Sequence, residues 1–246
     1  MIGLLTLWSQ FGTTTIFRRR SSGSVVYEHE GRIQSEIDKN GISLAYYIHA
    51  LYGLILQVET RRILMIGCGG GTLATMLCRA GRSIKIVDID PSSFALAKDY
   101  FSLPQDVLCH VDDGKEFLRS DSDIYDVIVI DAFHGSHVPA RFCSERFYEL
   151  LQDRLAPGGA IFLNVIVNDA LDMAADQIAK AMSGFFSDVR ILETPSRREH
   201  NAIVMAGAVS RLRRPRLIMQ PSAVGNCVED DMATMKFRTG RFGHDG

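Results

Sequence analysis

The stretch Ile63–Leu77 reads ILMIGCGGGTLATML. An apolar run enters a turn holding Gly67, Cys68, Gly69, Gly70 and Gly71, and a helical pattern begins at Thr72. A short apolar run bounded by turn residues reads as a buried strand. Glycines between such a strand and a helix let a ligand approach the main chain where a side chain would hold it off. A phosphate-binding loop would need Gly-Lys-Ser/Thr after the glycines, which is absent. A dinucleotide fingerprint counted from Gly67 would place its third glycine where Thr72 stands.

Outward from this turn, apolar strands alternate with helices. RILMI, SIKIVDI, DVLCHV, YDVIVID and AIFLNVIV read as strands, and DVRILE and NAIVMAGAV close the series. Between them, TLATMLCRAG, PSSFALAKDYF, GKEFLRS, SERFYELLQDRL and DALDMAADQIAKAMSGFF read as helices. This alternation predicts an α/β, doubly wound, Rossmann-like fold with a mostly parallel seven-stranded sheet over residues 61–210. Residues 1–60 read as a small extension: TTTIF, SVVYEHE and RIQSEI are β-prone, and SLAYYIHALYGLILQ has helical spacing with Ser43 as its cap. Beyond Arg211 the pattern fails, and residues 211–246 read as a basic, flexible tail.

The chain has 246 residues, enough for one sizeable core, and a formal net charge of -2. That charge points to neither nucleic acid nor an anionic membrane as partner. The five cysteines form no C-x-x-C pair and match no zinc pattern, so no metal is expected, and free thiols fit a cytoplasmic protein. The apolar start, MIGLLTLWSQFG, is shorter than the roughly 20 residues a membrane span needs, and its basic residues follow it, the wrong order for a secretory signal.

In such sheets ligands bind beyond the carboxyl ends of the strands. Asp88 ends the second strand about 20 residues after the glycine turn, the spacing at which an acid meets ribose hydroxyls. Asp113–Gly114 ends the third, where an adenine edge lies in this architecture; Asp112 or Asp113 can equally cap the following helix. Asp131 ends the fourth, beside the point where the strand order reverses, poised to bind or deprotonate an acceptor. His134 and His137 follow it and titrate near neutral pH, or are plain loop histidines. Tyr46 and Tyr47 either wall an acceptor pocket or pack the core.

The run from RILMIGCGGG through VDIDP, VDDGKEFL and YDVIVIDAF to ERFYELLQDRLAPGGAIFLNV resembles the spermidine synthase (polyamine aminopropyltransferase) family, built on the class I S-adenosylmethionine methyltransferase fold. The resemblance covers residues 40–210. It implies a transferase whose co-substrate is S-adenosylmethionine or its decarboxylated form. By the resemblance Gly67, Gly69 and Gly71 line the donor's amino-acid or aminopropyl arm. Asp88 holds the ribose, Asp113 meets the adenine amino group, and Asp131 orients and deprotonates a small amine acceptor. It further implies a homo-oligomer joined through the N-terminal region.

The chain departs from that pattern where the family usually keeps acids. Gly70 stands at an acid position of the glycine turn, His134 at the second acid of D-x-x-D, and YYIHA lacks the family's Glu. An ammonium taken from water needs an anionic or strongly polar partner. These departures keep two alternatives open: a small-molecule methyltransferase using S-adenosylmethionine, and a non-catalytic nucleoside-binding member of the family.

Overall fold

A computed structural model of the chain describes residues 1–133, 138–195, 198–222 and 225–240. The first four strands, β1 (Ile2–Ser9), β2 (Gly12–Arg18), β3 (Val25–His29) and β4 (Arg32–Ile37), pair in chain order as an antiparallel sheet. Glu30 and Gly31 between β3 and β4 both have positive φ (49° and 75°), the geometry of a tight hairpin turn. β1 was not expected as a strand. Its Ile2, Leu4 and Trp8 are exposed, so pairing with β2 rather than burial defines it.

Helix α1 (Tyr46–Ile55) leads into the second sheet. Ser43 does not cap it from the N-cap position: that place is held by Ala45, whose N–H donates to the Ser43 hydroxyl at 3.2 Å. The elements then alternate: β5 (Arg62–Ile66), α2 (Thr72–Arg79), β6 (Ser83–Asp88), α3 (Pro91–Tyr100), β7 (Leu108–Val111), α4 (Gly114–Ser120), β8 (Tyr125–Ile130). A 3-10 turn (Ala140–Cys143), α5 (Glu145–Arg154), β9 (Leu155–Val167), α6 (Ala174–Met182), β10 (Val189–Glu193) and β11 (His200–Gly207) follow. With a last strand, β12 (Lys236–Arg238), the sheet order is β12-β10-β11-β9-β8-β5-β6-β7, with β5 to β9 parallel and β11 antiparallel to both its neighbours. The order reverses between β5 and β8, which opens a crevice at the carboxyl ends of the strands. Among the described residues no helix is long and apolar enough to cross a membrane.

Side-chain alternation divides the core. Ile63, Met65, Val127 and Val129 face α1 and α2, while Leu64, Ile66, Ile128 and Ile130 face α4 and α5. A third, smaller cluster joins Ile16, Val25, Tyr27 and Ile37 of the first sheet to Leu96 and Phe101 at α3. That contact sets the N-terminal sheet over the crevice.

Two further expectations need correction. The helix predicted over residues 169–186 is only α6, because the Asp172 carboxylate accepts the N–H groups of Asn168 (3.0 Å) and Ala174 (2.9 Å) and holds the preceding segment in a turn. Residues 211–240 are not a loose tail. They carry α7 (Gly225–Thr234) and β12 (Lys236–Arg238), an eighth strand paired to β10. Val228, Met232 and Met235 enter the core beside α1. Arg190 lies over the Phe237 ring at 3.7 Å.

Arg238 locks this segment. Its guanidinium donates to Glu193 at 2.6 Å and to both Asp176 oxygens at 2.6 and 3.0 Å. Burial raises the Glu193 carboxyl, but nearby His200 (3.8 Å) and the Arg238 bond overturn that and hold it at about 2. A depressed carboxyl contributes stability above its unfolded value, near 4.3, and loses it as pH falls toward the folded value. Arg238→Met removes the cation between two buried carboxylates. It should lower stability at pH 7 by about 3 kcal/mol and flatten the acid loss between pH 4 and 2, as read by urea denaturation; an unchanged midpoint refutes the lock.

Candidate functional site at the sheet's switch point

The crevice floor is main chain. Gly67 donates to the Val87 carbonyl at 2.8 Å, and the Asp131 N–H donates to the Ile66 carbonyl at 2.9 Å, so the ends of β5, β6 and β8 are stitched together. Gly67 has φ +94°, and a Cβ there would overlap the Asp131 carbonyl. A glycine is therefore required by this approach as well as by the backbone angle. Above lies a cleft of about 830 Å³. Gly67, Gly69, Asp88, Gly114 and Asp131 line its sheet side, and Tyr27, His29 and Gln34 of the first sheet line the opposite wall. Gly71 lies behind the cleft as the left-handed residue that starts α2.

Asp88 accepts the Cys68 N–H at 2.6 Å on one carboxylate oxygen and the Asp90 N–H at 2.8 Å on the other. Burial raises its carboxyl, and these two bonds offset part of the rise. Each oxygen keeps a further acceptor site directed away from its first donor. Asp113 behaves otherwise. One oxygen caps α4 through the N–H groups of Lys115 (2.9 Å) and Glu116 (3.3 Å), and the other pairs with Arg141 Nε at 2.6 Å. The helix-cap reading holds for this side chain, and the cleft wall here is formed by Asp112, Gly114 and Arg141.

Asp131 lines both the main cleft and a small side cavity of about 40 Å³ walled by Tyr47, Met65, Leu73 and Phe133. The residue as a whole is half-buried. Burial pushes its carboxyl up, the Asn164 amide bond pulls it down, and the balance is about 6. Asn164 donates to Asp131 Oδ1 at 2.8 Å. Tyr47 faces Asp131, and burial holds its hydroxyl well above the ordinary range, hence protonated. Tyr46 instead accepts the Asn201 N–H at 2.9 Å through its hydroxyl. His134 and His137 lie outside the described residues.

The structure also explains Gly70. Its N–H donates to the Ser35 hydroxyl at 3.0 Å. A Cβ at Gly70 would sit 2.8 Å from Ser35 Cβ and 3.0 Å from Phe101 Cδ1. Ser35 of β4 thus fills the place a side chain would take. The sequence reading missed Ser35, Asn201 and Arg141, which carry no local signal. Asn164 did carry one, as a lone amide inside the apolar run AIFLNVIV.

A doubly wound sheet with a nucleoside-sized cleft at its switch point, glycines on the floor and an acid at each of three strand ends defines the Rossmann-like methyltransferase-type fold class. Within it, residues 48–207 match the family described as the spermine/spermidine synthase domain, and the chain belongs to that family. A probable polyamine aminopropyl transferase of Bifidobacterium longum is 28% identical over 151 residues, 60% of this chain, although the match spans only 34% of that relative's length. A polyamine aminopropyltransferase of Vibrio vulnificus is 24% identical over 92% of this chain and 84% of its own. The crystal structure of a probable spermidine synthase from Corynebacterium glutamicum superposes with a TM-score of 0.78 at 20% identity, covering 96% of this chain and 90% of that one.

The Ser35 contact is testable apart from any activity. Gly70→Ala should destabilise the protein by about 1–3 kcal/mol through overpacking. Ser35→Gly in the same chain should recover most of it. A Gly70→Ala protein that melts with the wild type would show that the turn is not closed by Ser35.

Proposed function

We propose that this chain is a transferase that binds an adenosyl sulfonium in the main cleft and passes an alkyl group to a small amine held at Asp131. Family membership supports aminopropyl transfer from decarboxylated S-adenosylmethionine. The observation that carries the reading is Asp131: a carboxylate shared by both cavities and poised near pH 6.

The chemistry follows from that placement. The amine nitrogen attacks the carbon beside the sulfonium. The carbon–sulfur bond breaks, and its electron pair goes to sulfur, leaving a neutral thioether. The amine must be uncharged to attack, so a proton leaves it for the Asp131 carboxylate and then for water. The enzyme's larger contribution is to hold the two reactants in line. Asp88 would accept two ribose hydroxyls on its remaining acceptor sites, and the main chain at Gly67 and Gly69 would run along the donor's arm, with Gly71 fixing the turn. Gly114 would lie against the adenine. Asp113, bonded to Arg141, would reach the adenine amino group only by leaving that partner. Tyr47 and Phe133 would wall the acceptor.

Methyl transfer is the second reading, favoured by Gly70 packed on Ser35. An acid there would attract a donor tail ending in an ammonium and repel one that also carries a carboxylate. Calorimetry with both donors decides between them: tighter binding of the decarboxylated form supports aminopropyl transfer, and tighter binding of S-adenosylmethionine supports methyl transfer. Failure of both to bind below the millimolar range refutes the nucleoside site, and binding without turnover marks a non-catalytic relative. The exposed apolar side chains of β1 are where the expected self-association would rest.

For an active protein, kcat should rise with pH through about 6 as Asp131 loses its proton. Asp131→Asn should abolish turnover while donor affinity stays within a few-fold. Asp88→Ala should weaken donor binding by about tenfold or more, at least the loss of one of its two charge-assisted hydrogen bonds; unaltered affinity rejects its ribose role.

A further inference from the structure

We propose that Asn164, Asn201 and Tyr46 form a positioning relay that holds Asp131 in one orientation and leaves its second oxygen free for the acceptor. The role of Asp131 as base rests on the function proposed above; the relay itself does not. It runs from α1 through β11 and β9 to the residue after β8. The Tyr46 hydroxyl of α1 accepts the Asn201 N–H at 2.9 Å, Asn201 Nδ2 donates to Asn164 Oδ1 at 3.1 Å, and Asn164 Nδ2 donates to Asp131 Oδ1 at 2.8 Å. On the antiparallel pair β9–β11, Asn164 lies opposite Ile203 and Asn201 opposite Ile166, which makes the two amides diagonal neighbours on one face.

The relay has a polarity. Asn164 is 1% exposed, and an amide buried so deeply requires partners at both ends. Asn201 donates to its oxygen, and its NH₂ faces Asp131. Turning the Asn164 amide over with Asn201 held as it stands would set two NH₂ groups against each other. Asp131 is therefore met by a donor, which suits a carboxylate and opposes a carboxylic acid at that oxygen. Among the described residues, the other groups around Asp131 do not compete. Tyr47 of α1 and Cys68 of the glycine turn are kept protonated by burial, and Gln34 and Ser35 of β4 are neutral. His134 and His137 lie outside the described residues.

The test reads the Asp131 carboxyl directly, by carbon-13 NMR titration of the full ligand-free chain, with Asp131→Asn to assign the resonance. Asn164→Leu should raise the Asp131 midpoint by about one to two pH units, the worth of one hydrogen bond to a charged group. Asn201→Ala and Tyr46→Phe should raise it less, in the same direction. If Asn164→Leu does not fold, Asn201→Ala at the start of β11 carries the test. An unmoved midpoint in folded variants overturns the relay, because a merely structural role lowers the melting temperature without moving it. A wild-type chain that transfers no alkyl group would sink the functional reading, while the titration would still decide the relay. In an active enzyme the acid limb of kcat should move by the same interval with donor KM unchanged.

Discussion

The close approach of β5 and β8 at Gly67 is the constraint on which the rest of the molecule hangs. There the Asp131 carbonyl occupies the space where any other residue would carry its Cβ. One backbone hydrogen bond, Asp131 to Ile66, holds the approach and a second, Gly67 to Val87, ties in β6, so three strand ends are fixed to one another before any side chain is considered. The crevice beside them is then bounded by main chain, and the acids that end β6 and β8 are brought to its floor. Opposed alternation of Ile63/Met65 and Leu64/Ile66 anchors the same strand between two hydrophobic layers, so the floor cannot shift without opening the core.

The three acids at these strand ends are handled in three ways, and the difference separates their roles. Asp88 is bonded by two backbone N–H groups and lies open to the main cleft, which suits a fixed acceptor of hydroxyls. Asp113 spends one oxygen on a helix cap and the other on Arg141, so it is chiefly structural as it stands. Among the described residues Asp131 has a single neutral amide donor against a large burial cost, and this imbalance leaves its carboxyl near 6, where gaining and losing a proton are both easy. The acid with the fewest donors is thus the one suited to proton transfer.

The two ends of the chain complete the site from outside the central fold. The N-terminal sheet, seated on α3 through Leu96 and Phe101, brings Tyr27, His29 and Gln34 across the cleft and presses Ser35 on Gly70. At the other end, Arg238 ties β12 to Glu193 of β10 and Asp176 of α6. This clamp braces the edge from which His200 and Asn201 begin β11.

The sequence by itself determined the alternating central sheet, the glycine turn and the acids at strand ends, because apolar periodicity and turn residues are local signals that survive in a single chain. Even the membership of the family was legible in that run, from RILMIGCGGG to AIFLNV. The tertiary structure decided the rest. β1 becomes a strand only by pairing, and β12 only by the contacts of Arg238, neither of which leaves a period in the sequence. Asp113 caps its helix through local N–H groups, but whether its other oxygen stays free for a ligand depended on Arg141, nearly thirty residues away. Gly70 read as a missing acid; in the fold it is a space taken by Ser35, from another sheet. Such contacts join residues far apart in the chain, and their effect on charge and space exists only once the chain has closed around them.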